Sequence, residues 1–140
     1  LKPEPWKKEP SAQAKKHLEE GNALVAKTFY GAAIDEYSKA IELHPEYAEA
    51  YYGRGLCYVN RYEGTEALPD LNKAIQLNPN HLESYFRRAI AHLIVGDNAA
   101  SLADLNTAIR LAPNSAQAYN ERGHYYHAIG DHAKADADYA

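Results

Sequence analysis

The chain has no methionine and, among its 140 residues, one cysteine, one tryptophan and two phenylalanines. A single cysteine, Cys57, excludes an internal disulfide, so packing and hydrogen bonds must carry the fold. No apolar run approaches the roughly 18 residues of a membrane-spanning helix. The opening residues, Leu1-Lys2-Pro3-Glu4-Pro5-Trp6, hold no apolar stretch of the kind a signal peptide needs. No excess of positive charge exists either. The net charge is −4, which gives no general attraction to nucleic acid. Gly-rich phosphate loops and an ordered Ser, His and Asp set are missing, so neither a catalytic residue nor a cofactor is expected.

Tyrosine is abundant, with 12 copies, and a repeat accounts for most of them. The string Ala-Ile-x-Leu-x-Pro occurs at Ala40–Pro45, Ala74–Pro79 and Ala108–Pro113, each copy 34 residues after the last. A fixed period of this size marks a stack of identical supersecondary units. A 34-residue frame divides the chain into residues 14–47, 48–81, 82–115 and a shortened 116–140. Residues 1–13, with three prolines and three lysines in the first ten, stand outside it and read as an extended or mobile tail. Within the tail, Trp6 either docks on the first helices or stands exposed.

Each unit carries two helical stretches. In the first, a large, a small and a second large residue fall at spacings of four and three, on one helical face: Tyr51, Gly55 and Tyr58 in the second unit. The small residue lets a neighbouring helix approach. The second stretch places Ala67, Leu71, Ala74 and Ile75 on one face. Gly96-Asp97 and Gly130-Asp131 mark the turn between the two stretches, and proline ends each full unit. The second unit departs twice. Its turn reads Arg61-Tyr62-Glu63-Gly64, so it should be the least regular. Pro69 lies inside its second stretch, so that helix should start late or kink near 66–69.

These residues resemble the tetratricopeptide repeat, whose pattern is aromatic-x2-Leu-Gly-x2-Tyr, then Ala-x3-Phe, then Pro. The second unit gives Tyr51-x2-Arg54-Gly55-x2-Tyr58, Ala67-x3-Leu71 and Pro79, and the four units stay in register over residues 14–140. The resemblance implies an all-α fold, a right-handed solenoid of antiparallel helix pairs, with a concave groove lined by the first helices. It also implies a non-catalytic scaffold that binds a peptide or helix of a partner protein. The alternative is an accessory domain positioning a larger enzyme or a secretion or assembly machine. The fourth unit stops halfway through its second helix and no polar cap follows. The chain is therefore expected to be a fragment of a longer protein, or to end in a disordered tail, or to pack its open end on another molecule, including by self-association. Compartment is not encoded; cytoplasm is the default.

The resemblance places the fifth, ninth and twelfth residues of each unit on the groove. These are Leu18, Asn22 and Val25; Tyr52, Leu56 and Val59; Phe86, Ile90 and Leu93; Asn120, His124 and His127. Units one to three thus offer an apolar stripe, with Tyr52, Leu56, Phe86 and Ile90 as expected anchors and Asn22 and Arg87 as polar fixing contacts. A stripe of this kind suits an apolar or amphipathic partner segment. One branch of the family clamps the acidic C-terminal tails of heat-shock chaperones with Lys, Asn, Asn, Lys and Arg. The matching positions here are Leu18, Asn22, Gly53, Glu83 and Arg87. Two of five agree and Glu83 reverses the sign, which disfavours such a tail.

Charge shows a second periodicity. The seventh residues are Glu20, Arg54, Arg88 and Arg122, and the twenty-third are Glu36, Asp70, Asp104 and Asp138. Pairing within units would set Glu20 against Glu36. Pairing each arginine with the preceding unit's acid avoids that clash and predicts Arg54–Glu36, Arg88–Asp70 and Arg122–Asp104. His17 and His92, at aromatic positions, are expected to pack in the core. Cys57 is expected to be buried and inert. His124 and His127, three apart with Asp131 and His132 near, have the spacing of metal ligands but no evident third partner, so no metal is expected there.

Overall fold

In the computed structural model, residues 9–140 are described, and Trp6 lies outside them. Among the described residues eight helices follow one another: α1 (Ala12–Ala26), α2 (Tyr30–Leu43), α3 (Ala48–Asn60), α4 (Gly64–Leu77), α5 (Leu82–Ile94), α6 (Asn98–Leu111), α7 (Ala116–Ala128) and α8 (His132–Tyr139). Odd and even helices are the first and second stretches of the units. Each helix packs on the next, and α1 also meets α3 as α3 meets α5, so the first helices of units one to three form a continuous layer.

Close approach within each pair comes from the small residue at the eighth position. A Cβ added to Gly21 would sit 2.7 Å from the Tyr37 ring, one on Gly55 2.8 Å from Leu71, and one on Gly123 2.5 Å from Tyr139. Real Cβ atoms do not approach so closely, so each large side chain of the second helix occupies the place its glycine leaves. Ala33, Ala40, Ala67 and Ala108, all wholly buried, keep the opposing faces equally flat. Cys57 is buried in the same core, and burial pushes its thiol up to about 12, out of the range of a nucleophilic thiolate.

The second unit's turn is as regular as the others. Thr28, Tyr62, Gly96 and Gly130 occupy the same frame position and all have φ between 59° and 88°. All four turns also close with the same hydrogen bonds; in unit two Tyr62 N–H donates to Val59 O and Glu63 N–H to Tyr58 O. The left-handed residue that stops a helix is usually glycine, yet the paired bonds hold Thr28 and Tyr62 there too. Nor does α4 start late. It begins at Gly64 and has the 14 residues of α2 and α6. Pro69 withholds a bond from the Thr65 carbonyl, but both residues lie on the exposed face, where water can satisfy that oxygen.

The ion pairs form within units, not between them. Arg54 Nε and Nη2 donate to the two carboxylate oxygens of Asp70 at 2.8 and 2.7 Å. Arg88 grips Asp104 in the same way, and Arg122 grips Asp138. The third nitrogen, Nη1, reaches back to the preceding unit's second helix, to Ser38, Asn72 and Asn106 respectively, each at 3.0 Å. Antiparallel packing sets the seventh residue of the first helix beside the twenty-third of its own partner, and the between-unit neighbour is a neutral side chain. In unit one His17 Nδ1 donates to Glu36 at 2.6 Å, which relieves the clash foreseen between Glu20 and Glu36. His17 and His92 thus face carboxylates rather than packing as apolar groups; His92 Nε2 lies 3.6 Å from Asp104.

Each arginine sits about 6 Å from the ring of its unit's fourth-position tyrosine. Tyr51 and Tyr85 in turn donate to the Pro45 and Pro79 carbonyls of the preceding unit, at 2.9 and 2.7 Å. The proline that ends one unit is therefore tied to the first helix of the next. Replacing Arg54 by Met should cost about 2–3 kcal/mol, because buried Asp70 loses its bidentate partner. A double-mutant cycle by chemical denaturation should give at least about 1 kcal/mol of coupling for Arg54 with Asp70. It should give none for Arg54 with Glu36, and the reverse result would restore pairing between units.

Candidate functional site

The first helices bring the expected groove residues to one side, but not all of them remain available. Phe86 is 2% exposed and packs with Tyr85, Leu105 and Tyr125; it is core, not an exposed anchor. Val59 (5%) and Leu18 (8%) are also buried. Phe86 is enclosed by Leu105 of its own unit's second helix together with Tyr125 of α7. Tyr52, Leu56, Ile90, Leu93 and Val25 remain partly open, and Asn22, Asn120, His124 and His127 are exposed.

The surface they form is two hollows rather than one stripe. The first, about 440 Å³, lies across units one and two and reaches the start of α5; Leu18, Asn22, Val25, Tyr37, Tyr52 and Leu56 line it. Its floor is Tyr37. That ring is wedged between Gly21 and Gly53, and a Cβ on Gly53 would come even closer to it than one on Gly21. The hydroxyl emerges in the hollow and donates to Asn22 Oδ1 at 2.6 Å, while burial raises the phenol's pKa and keeps it a donor. Asn22 is thereby oriented from below, with its remaining hydrogen-bonding capacity turned to the opening. On the far wall, the Tyr52 ring meets His81 edge to face at 4.8 Å, and His81 shares a 2.7 Å hydrogen bond with buried Ser84. Burial raises the Tyr52 phenol and the neighbouring Arg87 guanidinium opposes that shift. Arg87 Nε is buried without a protein partner.

The second hollow, about 240 Å³, lies between units three and four and is floored by Phe86 and Leu105, with Ile90, Leu93, His124 and Glu121 around it. His124 turns toward the Tyr139 ring, whose centroid is 5.7 Å away. His127 instead meets His132, one imidazole nitrogen donating to the other at 2.9 Å. The two histidines spaced like metal ligands are thus drawn to different neighbours.

Sequence reasoning missed His81, Ser84 and the Tyr37 wedge. The signal was present at Gly53, a second glycine two residues before the repeat's own Gly55, where the frame does not ask for a small residue.

A ladder of close-packed helix pairs at a 34-residue period, with a layer of first helices open to solvent, is the architecture of a repeat-built binding protein. The chain belongs to the tetratricopeptide-repeat family: models of that repeat match residues 21–61, 48–81, 82–115 and 105–137. Solved structures confirm the right-handed solenoid. The first tetratricopeptide domain of Spaghetti (RPAP3), bound to the HSP90 peptide SRMEEVD, is 27% identical with a TM-score of 0.78, covering 85% of this chain and 94% of that one. The second such domain of human RPAP3, in complex with the HSP70 peptide SGPTIEEVD, is 26% identical with a TM-score of 0.78, covering 84% and 98%. MamA of Desulfovibrio magneticus RS-1, at 20% identity and a TM-score of 0.81 over 90% of this chain and 71% of that one, shares the fold. Among curated proteins, the E3 ubiquitin-protein ligase CHIP of Arabidopsis thaliana is 38% identical over 60 residues, 43% of this chain. That match spans about a fifth (22%) of the ligase's length.

Changing Gly53 to Ala should destabilise the fold by about 1–3 kcal/mol through overpacking against Tyr37. In a Tyr37→Leu background the same change should cost less than half as much, by thermal or chemical denaturation. Equal costs in the two backgrounds would show that the Tyr37 ring is not what Gly53 accommodates.

Proposed function

We propose that the chain is a protein-interaction scaffold whose first-helix layer holds an apolar or amphipathic segment of a partner protein. The observation that carries this reading is the pair of hollows, each with an apolar floor and polar groups at its rim. Tyr52 and Leu56 in the first and Ile90 and Leu93 in the second are the anchors; Phe86 supports the second hollow from beneath instead of making contact itself. Asn22, held by Tyr37, and the half-buried Arg87 beside Tyr52 supply the polar contacts that fix the segment's register. The peptide complexes of the similar RPAP3 domains support a peptide as the ligand.

The carboxylate-terminated tail bound by those domains fits this groove poorly. Leu18 and Glu83 stand where a lysine would meet a carboxylate, and Tyr37 fills the space above Gly53 where an asparagine would project. A second reading rests on the plant ligase, of which the matched portion is a small part: the scaffold would position a larger enzyme rather than recruit a free peptide.

Capture of partners by the full-length chain, followed by titration of the captured segment, tests the proposal. Tyr52→Ala and Ile90→Ala should each weaken binding by more than about 2 kcal/mol; both side chains also pack on the Val59–Leu71 core, so the melting temperature should fall while the helical signal below the transition is kept. Unchanged binding in both variants would overturn the groove reading. The peptide SRMEEVD, used as a direct probe, should bind far more weakly than the captured segment; micromolar affinity would show that two of five clamp positions suffice.

A further inference from the structure

Three of the four units are locked by the same ionic group: a fourth-position tyrosine, a seventh-position arginine and a twenty-third-position aspartate. Unit one has the same backbone arrangement but different chemistry. Its three positions hold His17, Glu20 and Glu36. His17 Nδ1 lies 2.6 Å from Glu36 Oε2 and 4.0 Å from Glu20 Oε2, and one donor atom from each residue falls within a cluster no wider than 4.8 Å. Where the other units place a guanidinium between the helices, unit one turns in two carboxylates and an imidazole. The nearby cation, Lys39, approaches the opposite oxygen of Glu36 at 3.3 Å and is largely in solvent. It does not take the arginine's place.

We propose that His17, Glu20 and Glu36 form a binding site for a divalent transition-metal ion of the Zn²⁺ class, bridging α1 and α2. One imidazole nitrogen with two carboxylate oxygens is a donor set that borderline cations accept, and water would complete a four-coordinate shell. Bond lengths of about 2.0–2.2 Å put neighbouring donors roughly 3.3 Å apart in a tetrahedral shell. The His17–Glu36 contact must open slightly to reach that separation and the His17–Glu20 contact must close. Glu20, at 45% side-chain exposure, is the arm free to move. The metal displaces the proton that His17 Nδ1 now shares with Glu36. The bound ion would then do for unit one what arginine does for the others, joining its two helices through positive charge.

The test uses the full chain, stripped of metal and titrated with Zn²⁺ by calorimetry, with Co²⁺ absorption as a reporter of the ligand shell. One Zn²⁺ per chain should bind and the melting temperature should rise. Glu20→Gln and His17→Gln should each bind at least about tenfold more weakly and lose the rise. Glu20→Arg restores the arginine of the other units; its metal-free form should melt above the metal-free wild type and should gain nothing from Zn²⁺. His132→Ala, which breaks the exposed His127–His132 pair, should bind like wild type. The proposal is overturned if the wild type takes up no Zn²⁺, if Glu20→Gln binds as tightly, or if His132→Ala abolishes binding.

Discussion

The constraint on which this structure depends is the fit of one large side chain against one small residue, repeated in each helix pair. Gly21 receives Tyr37, Gly55 receives Leu71 and Gly123 receives Tyr139. Any Cβ at these glycines would push the helices apart. The seventh- and twenty-third-position charges lie one residue before each member of this contact, so the helix spacing it sets also brings arginine and aspartate within bidentate reach. The polar and apolar locks are therefore a single device.

The groove inherits its character from the same packing. In units two and four the glycine's partner stays inside the pair. In unit one Tyr37 is long enough to pass Gly21, reach Gly53 on the next first helix and place its hydroxyl against Asn22. A core residue thereby becomes part of the floor of the larger hollow. In unit three Phe86 does the opposite: an aromatic residue at a groove position is drawn into the core and leaves Ile90 and Leu93 at the surface.

Ordinary repeat chemistry breaks down most clearly at the first unit. Its fourth residue has no preceding proline carbonyl in the repeat to bond, and its seventh is an acid rather than arginine. Histidine answers both changes by turning its ring nitrogen to Glu36. The terminal pair is thus held by a softer and more adaptable contact than the guanidinium forks of the units that follow.

The 34-residue spacing of Ala-Ile-x-Leu-x-Pro and the large-small-large faces were enough to determine the fold and the buried place of Cys57. Helical periodicity states which residues share a face, and that information is local. It does not state which neighbour the face meets. A pattern that repeats every 34 residues looks the same when shifted by one unit, so arginine to its own aspartate and arginine to the preceding acid are equally regular on paper. Only antiparallel docking of each helix on its own partner separates them, and it chose Asp70 over Glu36 for Arg54. The same holds for the groove. The fifth residue of each unit lies on the same helical face, but whether it stays open, as Tyr52 partly does, or is enclosed, as Phe86 is among Leu105 and Tyr125, depends on which side chains of other helices surround it. Spacing along one helix cannot encode those neighbours, because residues far apart in the chain supply them.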